Sequence, residues 1–77
     1  MQPILEKLLE IVNTVRDNKG LSILSDLKPE NDLRNDLGFD SLDLAELTVR
    51  IEKEYGIDIF ADGFALTVSD IQAKLAK

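Results

Sequence analysis

One hydroxyl group stands out in this sequence as a place where chemistry could happen. Residues 36 to 44 read Asp-Leu-Gly-Phe-Asp-Ser-Leu-Asp-Leu, so Ser41 follows Asp40 directly and precedes Asp43 by two positions. An apolar-periodic segment begins there, and the spacing predicts that Ser41 occupies the first turn of a helix. A helix start leaves backbone N–H groups without partners and carries partial positive charge, which suits it to hold a phosphate. A serine in that turn is also exposed to a modifying enzyme. The same residues have a purely structural reading. Asp40 is then an ordinary N-cap, Asp43 at N3 completes a capping-box variant, and the serine is incidental. The rest of the chain must separate the two.

Other chemistries fail on inventory. The chain has no histidine and no cysteine, which removes the commonest general base, the best nucleophile and most transition-metal sites. Ser41 has no base within its own chain to activate it. No P-loop or dinucleotide glycine pattern occurs. The acid-rich stretch from Asp32 to Asp43 lacks the alternating ligand spacing and the bidentate Glu of a calcium loop, so no metal site is expected. The chain is not expected to be an enzyme.

Ser41 has to be positioned by helices. Ile4, Leu5, Leu8, Leu9, Val12 and Val15 follow amphipathic spacing, with Pro3 in the first turn and Gly20 as a stop. Residues 20 to 40 then form a connection longer than compact domains usually carry, and such loops tend to be functional. Leu21, Ile23, Leu24, Leu27, Leu33 and Leu37 are spread through it, so it is expected to pack down and present Ser41. The second strong helix runs from Ser41 to Tyr55, with Gly56 ending it. Ile57 to Phe60 reads as an extended loop tucking Ile57 or Ile59 inward, and Ala61 to Leu66 as one short helical turn weakened by Gly63. Thr67-Val-Ser-Asp70 opens a last, capped helix that buries Val68, Ile71 and Leu75 and runs to the C-terminus. The expected fold is an all-α, small four-helix bundle, with three longer helices, one short one, and a long loop between the first and second.

The second helix carries two apolar stripes. At about 100° per residue, Leu44, Leu47, Ile51 and Tyr55 fall within roughly 80° of one another and form the core stripe. Leu42, Ala45 and Val49 align on nearly the opposite side. Either the long loop covers this second stripe or it is exposed for a partner. A chain of 77 residues has little material to cover both sides, which favours a contact strip flanked by Asp43 and Glu46. Charges that orient a partner and an apolar patch of modest affinity suit weak, fast association.

Composition and charge agree with a docking face on the middle of the chain. The chain is expected to form one domain, residues 1–77, whose stability rests on 24 Leu, Ile and Val residues against four aromatics. No apolar stretch reaches membrane-spanning length and no signal or transit segment opens the chain, so no membrane insertion and a cytoplasmic location are expected. The net charge is −6, yet residues 26 to 62 hold 11 acids and 4 bases while the two ends together are slightly basic. The excess negative charge is centred on Ser41. Such a field disfavours nucleic acid and steers basic protein surfaces toward that segment.

The run Asp36-Leu-Gly-Phe-Asp-Ser-Leu-Asp-Leu resembles the signature of acyl carrier proteins, small four-helix proteins that carry acyl chains as thioesters on a 4′-phosphopantetheine arm. The resemblance extends over nearly the whole chain: helix, long loop, Asp-Ser-Leu opening an acidic helix, Glu-Lys-Glu-Tyr-Gly-Ile closing it, and a Thr-Val-led last helix. It implies that Ser41 is the covalent attachment residue for 4′-phosphopantetheine derived from coenzyme A. A separate Mg²⁺-dependent phosphopantetheinyl transferase would supply the activation that this chain lacks, and the working thiol would belong to the arm. It further implies that Asp40, Leu42, Asp43, Ala45, Glu46 and Val49 form the docking surface. The partners would be that transferase, a loading ligase for acyl or aminoacyl groups, and acyltransferase or synthase enzymes with basic patches. Leu47, Ile51, Ile59 and Phe64 would line a path for the acyl chain, although ordinary core packing predicts the same residues. The carrier would be a monomer.

Two departures bear on the pathway. Arg50 and Lys53 interrupt the acidic second helix, with Arg50 able to pair with Glu46 or Glu54, and Phe60-Ala-Asp-Gly63 replaces an acid-rich third-helix start. The cargo route is therefore open between fatty-acid, polyketide and other specialised biosynthesis. Peptidyl or aminoacyl carriers and D-alanyl carriers share the fold and arm, but Gly38-Phe-Asp-Ser41 lies closer to the acyl type. An unmodified helical adaptor that binds a basic partner is the alternative from another class. Only a carrier requires the Ser41 hydroxyl.

Overall fold

Hydrophobic periodicity becomes three helices in the computed structural model, which describes residues 4–61 and 65–76. Helix α1 spans Ile4–Asn18, α2 Ser41–Tyr55 and α3 Val68–Leu75, and α1 packs against both of the others. The protein is all-helical over the described residues. Residues 59–61 form a turn rather than the start of a regular helix; of the short fourth helix expected at 61–66, residues 65–66 are not helical and 62–64 lie outside the described ones. The last helix stops at Leu75, with Ala76 as its cap.

The core draws on every segment. Leu8, Ile11, Val12 and Val15 of α1 meet Leu47 and Ile51 of α2, Ile59 of the following loop, and Val68, Ile71 and Leu75 of α3. Leu27, Leu33, Leu37 and Phe39 come from the long loop, which is packed down as its leucines predict. Ile23 is the exception. It stands about two-thirds exposed, at 67%, because the chain there runs along the outside of α1.

Backbone pairing explains how a connection of this length keeps its shape. Asn13 of α1 makes a two-way bridge to Leu24, its Nδ2 donating to the carbonyl at 2.9 Å and its Oδ1 accepting from the N–H at 2.7 Å. Arg16 donates from Nε to the Ser22 carbonyl and from Nη1 to the Leu37 carbonyl, 2.9 and 2.5 Å. One side chain thus ties α1 to both ends of the loop. Further on, the Asp32 carboxylate accepts the N–H groups of Arg34 and Asn35, and Asp36 accepts that of Asp32. An isolated antiparallel bridge between Asp32 and Thr67, with Leu33 N–H on the Leu66 carbonyl at 3.0 Å, fixes this turn to the start of α3. These bonds satisfy loop backbone groups that burial would otherwise penalise.

Candidate functional site

The approach to Ser41 is held from both sides. Phe39 is buried at the end of the loop. Gly38 before it has φ +76°, a left-handed conformation that a side chain would strain. A Cβ at Gly38 would also sit 3.4 Å from the Leu21 side chain. Asp40 is then extended at φ −98° and caps α2, its carboxylate accepting the Asp43 N–H at 3.0 Å, while the Asp43 carboxylate accepts the Asp40 N–H at 2.9 Å. This is the reciprocal capping box. It sets Ser41 as the first helical residue, exposed to solvent.

Ser41 opens onto a cleft of about 240 Å³, lined on α2 by Leu44, Ala45 and Thr48 and across from it by Arg34, Phe60, Ala65 and Leu66. The helical part of this lining follows Ser41 at i+3, i+4 and i+7, the spacing that puts residues on one face. That signal is present in the sequence, and sorting α2 into two apolar stripes hides it, since Thr48 belongs to neither. Leu47, Ile51 and Ile59 are fully buried in the core and do not line this cleft; Phe64 lies outside the described residues.

Leu42 and Val49 are 81% and 63% exposed, and Ala45 is exposed between them. The second stripe is therefore open among the described residues, and the loop does not cover it. Acids flank it: Asp40 is exposed, with Asp43 and Glu46 half-buried. Each has an internal partner. Lys19, just beyond α1, pairs with both Asp43 and Asp40, the latter at 3.6 Å. Glu46 accepts Arg50 Nε at 2.9 Å and Asn18 Nδ2 at 3.4 Å. The Lys19 hydrogen bond, followed by the Asp40 N–H, holds the Asp43 carboxyl below its ordinary pKa. The same bond to Asp43 raises the Lys19 ammonium. Arg50 takes Glu46, one of the two partners the sequence offers it; the Lys19 clamp has no such local signal, because it joins residues 24 apart.

The site can offer a free primary hydroxyl at a helix N-terminus, an apolar cleft leading from it, and a contact strip beside it. A phosphodiester fits there, since the helix start favours an anion and the cleft can receive part of a flexible arm.

Comparison with known proteins gives the same picture. The family described as "Phosphopantetheine attachment site" matches residues 6–73. The chain is 43% identical over 53 residues to an acyl carrier protein of Nitratidesulfovibrio vulgaris (strain DSM 19637 / Miyazaki F), covering 69% of this chain and 68% of that protein. It is 34% identical over 50 residues to an acyl carrier protein of Rickettsia bellii (strain RML369-C), covering 65% of this chain and 57% of that one. No solved structure matches it.

Proposed function

Since the chain belongs to the phosphopantetheine-attachment family, that of the acyl carrier proteins, we propose that it carries its 4′-phosphopantetheine on Ser41 and presents acyl thioesters to biosynthetic enzymes. The observation that carries this assignment is the exposed Ser41 at the first position of a capped helix, at the mouth of an apolar cleft. In the loading step the Ser41 oxygen attacks the β-phosphorus of coenzyme A. A new P–O bond forms, the pyrophosphate P–O bond breaks, and 3′,5′-ADP leaves. The proton of the hydroxyl passes to a base on the transferase, because this chain supplies none.

The arm then extends the reach of a small protein. Tethering replaces a bimolecular encounter by a local one and raises the effective concentration of cargo at each active site. Leu42, Asp43, Ala45, Glu46 and Val49, with Asp40, form the surface on which the transferase and the acyl-handling enzymes dock. The cleft lined by Leu44, Thr48, Phe60 and Leu66 receives the proximal part of the arm or of a short acyl chain. The cargo is of the acyl class, in fatty-acid, polyketide or related specialised biosynthesis, and the setting is the cytoplasm. Arg50 and Lys53 within the docking helix favour partners other than a strictly basic one.

The test is incubation with coenzyme A, Mg²⁺ and a promiscuous phosphopantetheinyl transferase, read by intact mass. Wild type gains one phosphopantetheine and Ser41→Ala gains none, while both melt at the same temperature. An unmodified wild type, with a control carrier fully loaded, turns the assignment over to an adaptor that uses only the apolar strip.

A further inference from the structure

The carboxylates nearest Ser41 are already engaged within the chain. Asp40 and Asp43 share Lys19, and Glu46 is held by Arg50 and Asn18. Lys19 lies between α1 and the loop, more than twenty positions before the acids it meets, and its side chain is 29% exposed in this position. Two cations therefore oppose three acids on the face that a partner must cover. The apolar strip beside them has no such cover among the described residues: Leu42 is 81% exposed and Val49 63%.

A partner cation approaching Asp43 meets the Lys19 ammonium first. It must either displace Lys19 or accept a like charge a few ångströms away, and both reduce what the new ion pair contributes. An apolar socket closing over Leu42 and Val49 meets no equivalent obstacle. From this we propose, resting on the carrier assignment above, that Lys19 is an intramolecular competitor for the docking carboxylates. It tunes the carrier toward enzymes that grip it through an apolar socket for Leu42 and Val49 rather than through cations beside Ser41. Lys19 acts here as a specificity-determining residue and takes no part in the chemistry at the hydroxyl.

The occupant of the surface is a carrier-modifying or acyl-handling enzyme whose contact face is apolar at its centre and only weakly basic at its rim. Charge complementarity argues for this. The acids that would reward a strongly basic face are paired internally, and Arg50 within α2 repels one. Lys19 pairs with Asp40 and Asp43 and Arg50 with Glu46, while Lys7, Glu10, Lys53 and Glu54 line a cavity with Arg50 on the side of α2 away from Ser41.

The experiment is steady-state loading by a phosphopantetheinyl transferase with a basic docking patch, using the full chain, coenzyme A and Mg²⁺, at low and at high salt. Lys19→Gln is expected to lower KM for the carrier by about two- to fivefold at low salt with kcat unchanged, the range open to exposed ion pairs, and the gain is screened away at high salt. Lys19→Met, which keeps the aliphatic stem, gives the same result, and Lys19→Arg restores the wild-type KM. Leu42→Ser raises KM at both salt concentrations in either background. Thermal melts of each variant confirm that the fold is kept. A KM that is unchanged or raised in both Lys19→Gln and Lys19→Met overturns the proposal while leaving Ser41 loading intact. So does a Leu42→Ser effect that disappears at high salt. If the wild type takes no arm while a control carrier does, the carrier assignment itself fails, which is a separate result.

Discussion

Leu42 and Leu47 are the same residue type on the same helix, and the fold gives them opposite tasks. Leu47 is fully buried between α1 and the loop after α2, whereas Leu42 is 81% exposed. Truncating Leu47 to Ala removes three buried carbons, a transfer loss of about 2.4 kcal/mol at roughly 0.8 per CH₂. The cavity left behind raises the total to about 3–4 kcal/mol, because surrounding side chains relax only in part. For 77 residues a total stability of roughly 4–12 kcal/mol is expected, so the variant sits near the edge of folding. Its melting temperature should fall by about 12–32 °C, at about 4–8 °C per kcal/mol. Leu42→Ala loses only the fifth of its surface that folding covers, less than about 0.5 kcal/mol, and alanine's helix preference offsets part of that. Urea titration followed by far-UV circular dichroism measures both. In transferase loading the order reverses: Leu42→Ala raises KM, while Leu47→Ala, assayed below its melting point, changes KM little. Equal destabilisation by the two substitutions would refute the division of α2 into a core stripe and an open strip.

Other consequences follow from the caps and the charges. Thr67→Ala removes the side chain that accepts the Asp70 N–H, and should cost about 1 kcal/mol by thermal melt. Gly56→Ala places a Cβ on a residue at φ +71° with no neighbour within 4 Å, so backbone strain alone should cost about 1–2 kcal/mol in the same assay. Asp43 and Asp70 both lie below the ordinary aspartate pKa of 3.8, Asp43 chiefly through Lys19 and Asp70 chiefly through the Leu66 N–H. Their contribution to stability is full above that value and is lost as pH falls through the lowered folded pKa values; Asp70→Asn should flatten the acid limb of the stability–pH curve. Lys19 is raised above 10.5, so its share is complete below that pH and fades as pH rises through the folded value. Lys19→Gln should remove that alkaline dependence.

Local signals carried most of what the sequence revealed. The Asp40–Asp43 and Thr67–Asp70 boxes and the left-handed Gly56 stop are all set by residues within four positions of one another, and each forms as expected. The two stripes of α2 were legible because helical periodicity is itself local. Long-range partners were not. Arg16 reaching Leu37, Asn13 reaching Leu24 and Lys19 reaching Asp43 span 11 to 24 residues, and polar side chains on an amphipathic helix give no sign of which loop will fold across them. Ile11 escaped the apolar count of α1 although it lies three residues after Leu8 and four before Val15. Phe39, absent from the loop's apolar count, is buried just before Ser41, whereas Ile23, counted among the packed residues, is left outside. The cleft beside Ser41 was hidden for a related reason. Its far wall, Phe60, Ala65 and Leu66, comes from a segment with no clear periodicity, placed by tertiary contacts alone.

The central claim is that one hydroxyl, chosen by position, carries the arm. The chain has four serines, Ser22, Ser25, Ser41 and Ser69, and Ser69 also lies in the first turn of a helix. Fragmentation mass spectrometry of the transferase-loaded chain tests that claim most directly. The account predicts a single phosphopantetheine, found wholly on the fragment containing Ser41. Phosphopantetheine on Ser69 or on a loop serine, or its persistence in Ser41→Ala, would contradict it.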